Sequence, residues 1–220
     1  MSVVAVIGAG KLGGALARRA LAAGHTVRVA GRDDSAAFRA RVAAEVPGAQ
    51  ALPVEDAVDG ADLVVLALPL AQHRRLDPTV LAGHVVVDAM NDWPAAASPL
   101  GGLAEVHDGG SSVRVQRHLP GTSLVKALNH IGYHDLDDEP LVGAAPRRGL
   151  ALAGDDPAAT RLVADFLASL GFDPVDVGPL ARGASFALGT AAFTAPADAS
   201  RLRRMVGVAD RADLPVLVAA

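Results

Sequence analysis

The chain has 220 residues and a formal charge of −4, with 51% hydrophobic and 20% charged residues. That is enough apolar chain for a sizeable core and too apolar a composition for disorder. It has no cysteine, which excludes disulfides, thiolate catalysis and Cys-based metal sites. Aromatics at 3% and an acidic balance argue against nucleic-acid partners. The N-terminal apolar run is broken by Gly8, Gly10 and Lys11, so no leader peptide is read. No stretch of transmembrane length lacks charges or breakers. A cytoplasmic protein without a membrane partner is expected.

The elements alternate from the start. Ser2–Ile7 reads as a buried β-branched strand, and Leu12, Leu16, Ala20 and Leu21 follow at helical spacing up to Gly24. Thr26–Ala30 reads as a second strand. A helix follows from Ser35, its N-cap, to Val46. Ala49–Leu52 is a weak third strand, Asp62–Leu68 a strong fourth closed by Pro69, and His84–Ala89 a fifth. Residues 91–112 read as a long loop and Val113–Leu119 as a short helix. Ser123–Leu128 is a sixth strand, Asn129–Arg148 irregular, and Leu150–Ala153 a seventh strand. Asp156 and Pro157 open a helix to Leu170, and Pro174–Val177 is an eighth strand. The pattern weakens after Pro179. The expected fold is α/β: a Rossmann-type, doubly wound, mainly parallel sheet of about eight strands with a small C-terminal extension. The expected division is a dinucleotide-binding domain over 1–182 and a C-terminal segment over 183–220. That segment would serve as a cover of the acceptor site or as a dimer contact, its apolar tail running from Leu214 to Ala220.

Gly8-x-Gly10-x-x-Gly13 stands between the first strand and the first helix, the context in which this spacing binds a dinucleotide. Gly8 permits the turn, Gly10 lets the pyrophosphate approach the backbone, and Gly13 lets helix and strand pack closely. The second strand ends in Ala30-Gly31-Arg32, without the carboxylate that usually holds the ribose hydroxyls of NAD. Arg32 can instead pair with a 2′-phosphate, which points to NADP(H). The opposing reading gives the ribose to Asp33 or Asp34. Leu68 and Pro69 after the fourth strand, and Asn91 after the fifth, fall at the carboxyl edge where the ligand crevice of such a sheet opens. Loop chemistry alone would also place Pro and Asn there.

Other chemistries lack their residues. The seven histidines include no compact metal pair. His130 and His134 are spaced i, i+4 but on a stretch that does not read as a helix, so no metal is expected. There is no Gly-x-Ser-x-Gly elbow, no Walker lysine and no Tyr-x-x-x-Lys pair. Hydride transfer needs little side-chain acid–base help, because the cofactor carries the reactive atom.

Further pieces extend the glycine motif: Val6 to Gly14, Leu21 to His25, Gly31-Arg32, Val85 to Asn91, Leu124-Val125-Lys126-Ala127-Leu128-Asn129, Ala153 to Asp156, and Gly171 to Leu180. Over about residues 3–182 the chain resembles the NADPH-dependent reductases of the deazaflavin coenzyme F420 (F420:NADP oxidoreductases). The resemblance implies that Gly10, Lys11, Leu12 and Gly31-Arg32 hold NADP. Pro69 and Asn91 would border the nicotinamide, and Asn129, His130 and Ile131 would lie beside the deazaflavin. It implies direct hydride transfer from nicotinamide C4 to deazaflavin C5, and a homodimer. The chain departs from the family pattern at Asn129, where the family typically carries His, and after Ala181. The expected function is hydride transfer between NADP(H) and coenzyme F420 or a flavin, with His130 the candidate catalytic side chain. Two alternatives stand beside it. One is reduction of a small carbonyl or imine with His130, Tyr133 or His134 as proton donor. The other is a non-catalytic NADP(H) sensor.

Overall fold

The computed structural model describes residues 1–93, 110–139 and 146–208. Most of the expected loop over 91–112, and the tail Leu214–Ala220, lie outside them. Among the described residues the elements run β1 (Val3–Ile7), α1 (Lys11–Ala22), β2 (Thr26–Ala30), α2 (Ala36–Glu45), β3 (Gln50–Ala51), α3 (Val54–Val58) and β4 (Leu63–Leu66). Then come a 3-10 turn (Leu70–Arg75), α4 (Pro78–Leu81), β5 (Val85–Asp88), α5 (Gly110–His118), β6 (Ser123–Lys126) and α6 (Tyr133–Asp138). The chain continues with β7 (Gly149–Gly154), α7 (Pro157–Ser169), β8 (Asp173–Asp176), a second 3-10 turn (Leu180–Phe186) and α8 (Ala199–Met205). The strands form one sheet in the order β3-β2-β1-β4-β5-β6-β7-β8. Every neighbouring pair is parallel except β6 and β7, which run antiparallel with Val125 opposite Gly154.

The strands are buried on both faces, which is why they read as unbroken Val/Leu/Ile runs. One core packs α1 and α7 on one face of the sheet, around Leu16, Val65, Val125 and Phe166. A second lies on the other face, around Leu66, Val86, Val115 and Leu119. A third packs Phe186, Ala192, Leu202 and Val206 against Ala151, Ala153 and Val175. The described part of the C-terminal segment therefore folds back on its own sheet.

Four short helices, α3, α4, α6 and α8, form where no helical signal was read. α6 occupies part of the stretch read as irregular. Its acidic residues serve as ion-pair partners: Asp137 accepts a two-pronged contact from Arg18 (3.1 and 2.7 Å) and Asp135 pairs with Arg148 at 2.6 Å. α8 is capped by the Asp198 carboxylate, which accepts the Arg201 N–H. Arg19 is buried on α1. It donates to the carbonyls of Leu170 (2.8 Å), Leu136 and Glu139 (2.7 Å each), and lies over the Phe172 ring.

Candidate functional site: a cavity at the carboxyl edge of the sheet

Strand order reverses between β1 and β4, and the loops leaving those strands meet there. In an open α/β sheet this is where ligands bind. The three glycines of the first loop differ in their reasons. A Cβ on Gly8, whose φ is +118°, would lie 2.2 Å from the Ala67 carbonyl oxygen. A Cβ on Gly13 would lie 1.8 Å from the Gly8 carbonyl oxygen. Both are set by the close approach of backbone to backbone. Gly10 has an ordinary φ of −81°, and a Cβ there would meet nothing within 4 Å. No contact inside the protein demands glycine at that position. The open space lies in front of the α1 N-terminus, whose first N–H groups have no intrahelical acceptor and no side-chain cap. This is a cradle for a diphosphate, and the residues present fit one.

The β2 edge carries the charge. Arg32 is exposed, and its charge reaches the neighbouring Asp33 as one of the weaker influences on that carboxylate. Its two acidic neighbours are engaged locally. Asp33 accepts the Ser35 N–H at 3.0 Å, and Ser35 holds its carboxyl below the usual carboxylate range. Asp34 pairs with Arg39 at 3.5 Å. The arginine is left to meet a ligand, as a 2′-phosphate requires. Gly31 answers to packing, since a Cβ would fall 2.5 Å from the Phe38 ring. Arg41 was not foreseen. From α2 it donates to the Ala9 carbonyl at 2.9 Å, which brings its guanidinium to the glycine loop.

A cavity of about 650 Å³ opens beside this loop. Of the expected residues it gathers Gly10, Lys11, Leu12, Leu68, Pro69, Asn91, Asn129 and Ile131. Gly8, Gly13, Gly31 and Arg32 stand outside its lining. So does His130, and here the expectation of a catalytic or acceptor-binding imidazole is corrected. The His130 ring is buried, packs edge-on against Phe186, and its Nε2 accepts the Ala151 N–H of β7 at 3.0 Å. Burial, with Arg148 and Lys126 nearby, pushes its pKa down to about 3. It is a neutral histidine of the core, and His134 stacks on Tyr133 instead of facing it. No cluster able to hold a metal occurs among the described residues.

The cavity floor is a hydrogen-bonded seam between the loops after β5 and β6. Asn91 Nδ2 donates to the Asn129 carbonyl at 2.7 Å, while Asn129 Nδ2 donates to the Phe186 carbonyl at 3.2 Å. Leu128 takes a left-handed φ of 64° to bring Asn129 into line. Beneath the seam Lys126 is fully buried. Its ammonium donates to the Met90 carbonyl at 2.5 Å and to Asp88 at 3.3 Å. Asp88 also accepts the Ser112 hydroxyl (2.6 Å) and the Met90 N–H (2.9 Å). Burial pulls the Lys126 pKa down and Asp88 opposes that pull.

The walls were less legible. Trp93, Tyr133, Phe193 and Thr194 all line the cavity. The Lys11 ammonium donates to the Tyr133 hydroxyl at 3.3 Å across its mouth. Tyr133 was foreseen as a proton donor. The signal for Trp93 was its uniqueness: it is the chain's one tryptophan.

The model of the family "NADP oxidoreductase coenzyme F420-dependent" matches residues 3–92. The hypothetical protein SMa0349 of Sinorhizobium meliloti has a solved structure that is 31% identical. The match covers 90% of this chain and 96% of that one, with a TM-score of 0.76. A solved protein of Arthrobacter sp. FB24, proposed to be an F420-dependent NADP reductase, is 28% identical over 84% and 89% of the two chains, with a TM-score of 0.71. The metalloreductase STEAP3 of Rattus norvegicus is 28% identical over 181 residues, 81% of this chain and 34% of that protein. The chain thus spans about a third of the length of that curated relative.

Proposed function

The chain belongs to the coenzyme F420-dependent NADP oxidoreductases, and from that premise we propose that it moves a hydride between NADP(H) and a planar ring acceptor, the deazaflavin F420 or a flavin. The observation that carries this reading is the largely apolar cavity continuous with the glycine loop at the strand-order reversal. The α1 N-terminus and the open face of Gly10 would hold the diphosphate. Arg32, with Arg41 behind it, would hold the 2′-phosphate. Leu68, Pro69 and Asn91 would border the nicotinamide, and Asn129 and Ile131 the acceptor. Bound NADPH supplies a hydride from its nicotinamide, and the acceptor takes up that hydride and one proton. The protein's part is to orient the two rings and keep water from the hydride. Leu68, Pro69, Met90 and Ile131 do the latter as apolar walls.

The test is loss of NADPH absorbance with F420, FMN, FAD or no acceptor, and with NADH as the control donor. NADPH-selective turnover with the deazaflavin or a flavin is expected. Tight NADPH binding without turnover on any ring would overturn the reading and leave a sensor. The Lys11–Tyr133 contact supports a second reading, reduction of a small carbonyl or imine with the Tyr133 hydroxyl as donor. In that case Tyr133→Phe abolishes turnover of the carbonyl.

A further inference from the structure

The chain holds one Trp, one Tyr and five Phe. Three of those seven rings, Trp93, Tyr133 and Phe193, line the one cavity described above. Of these Trp93 is the least accounted for by folding. It is 44% exposed, and among the described residues only Met1 joins it as an exposed large hydrophobic side chain. An indole left this open at a cavity mouth gains little from the fold and has apolar surface to offer a ligand. It meets Phe193 edge to face, with ring centres 6.0 Å apart and planes at 78°. That arrangement leaves a ring face outside the pair.

Phe193 is held in place at some cost. The next residue, Thr194, takes a left-handed φ of 59°, a conformation unfavourable to a β-branched side chain. It is pinned from both sides. Its N–H donates to the His130 carbonyl at 3.0 Å, and its carbonyl accepts from Arg148, which is anchored on Asp135. Strain maintained by surrounding contacts at a cavity wall is a mark of a functional position. Trp93 and Phe193 come from distant parts of the chain, the loop after β5 and the segment after the second 3-10 turn. Leu12, Leu68 and Pro69 come from the glycine-loop side of the same cavity.

We propose that Trp93 and Phe193 are the specificity-determining pair of this site. Trp93 lies against the face of a fused, planar acceptor ring turned away from the nicotinamide, Phe193 holds the indole there edge to face, and the pair so selects such rings over small carbonyls. The proposal rests on the hydride-transfer reading above and deepens it. The experiment is calorimetric titration of the NADP⁺-saturated full chain with oxidised F420 and, separately, FMN, alongside steady-state kinetics. Trp93→Leu and Phe193→Leu should each weaken the ring acceptor about tenfold, from the loss of one aromatic contact, and raise its KM in step. Affinity for NADPH should stay unchanged, and Trp93→Phe should restore acceptor binding to within about threefold of the parent. Circular dichroism melting confirms that each variant folds, and Trp93, being exposed, offers a substitution that leaves the core intact. Parent-like acceptor affinity in the folded Trp93→Leu protein would overturn the pair's role while leaving the hydride-transfer reading standing. Equal losses for NADPH and acceptor would overturn it too. If the parent protein binds neither ring, the broader reading falls and the pair's role with it.

Discussion

Gly10 and Gly13 lie three residues apart, at the N-cap and in the first turn of α1, yet substitution should separate their roles. A side chain at Gly10 projects into open space, so Gly10→Val should cost less than about 1 kcal/mol of stability, the scale of a changed N-cap. It should also lower NADPH affinity more than about a hundredfold, because the β-branched side chain fills the diphosphate cradle. Gly13→Ala should do the opposite at first hand. Its Cβ drives into the Gly8 carbonyl, so the melting temperature falls before binding can be assessed. Arg32 is exposed and influences Asp33 only weakly. Arg32→Ala should leave the melting temperature unchanged and weaken NADPH by about ten- to a hundredfold, the worth of charge-assisted hydrogen bonds, with NADH changed little. Equal effects on the two donors would transfer the 2′-phosphate to Arg41. At this scale the glycine spacing was legible because its chemistry is local. His130 was not, because its spacing from the sheet says nothing of which way the ring turns. Only β7, arriving antiparallel, supplies the Ala151 N–H that draws the imidazole inward.

Between elements, the Lys126–Asp88 pair joins the ends of β6 and β5 directly under the cavity floor. The expected effect of Lys126→Met is a loss of about 3–5 kcal/mol, since Asp88 is left buried with no cation. Adding Asp88→Asn should recover part of it, because the side chain is then neutral, its oxygen still accepts the Met90 N–H and its NH2 can donate to the Ser112 hydroxyl. Denaturant midpoints of the two variants measure the difference. A single-variant loss under about 1 kcal/mol would remove the pair from the account of stability. Gly183 serves the same pair, as a Cβ there would come 2.9 Å from Lys126 Cγ. The parallel strands were readable as apolar runs, and the helices starting at Ser35 and Asp156 as capped periodic segments. α6 and α8, like the still shorter α3 and α4, were not readable. They are one to two turns long, and what holds them is ion pairing and docking on distant segments, which leaves no local period.

Across the molecule, three histidines among the described residues are buried with their pKa values lowered, in each case chiefly by burial: His25, His73 and His130. Each binds a proton more weakly folded than unfolded, so the unfolded chain holds more protons in acid. Stability is therefore full above the ordinary value of 6.5 and is lost as pH falls below it, for His130 continuing down to about 3. One such group contributes a slope approaching about 1.4 kcal/mol per pH unit. Urea midpoints should drop between neutral pH and moderate acid, and His130→Gln should drop less steeply. An identical pH slope in that variant would remove His130 from the account. The doubly wound sheet and its reversal between β1 and β4 follow from the order of strands and helices. The reversal of β7 does not, since nothing in an apolar run states its direction.

Arg19 has a consequence for how the chain comes to be folded. It sits in the first helix, yet among the described residues the carbonyls that receive its guanidinium belong to residues more than a hundred positions later. During synthesis the glycine loop and β1 to β5 emerge with this cation still unmatched. They can settle only when α6 and the end of α7 arrive. An isolated N-terminal half should therefore stay open and protease-sensitive, and the dinucleotide cradle should become competent late, in the same cooperative event that closes the far end of the sheet.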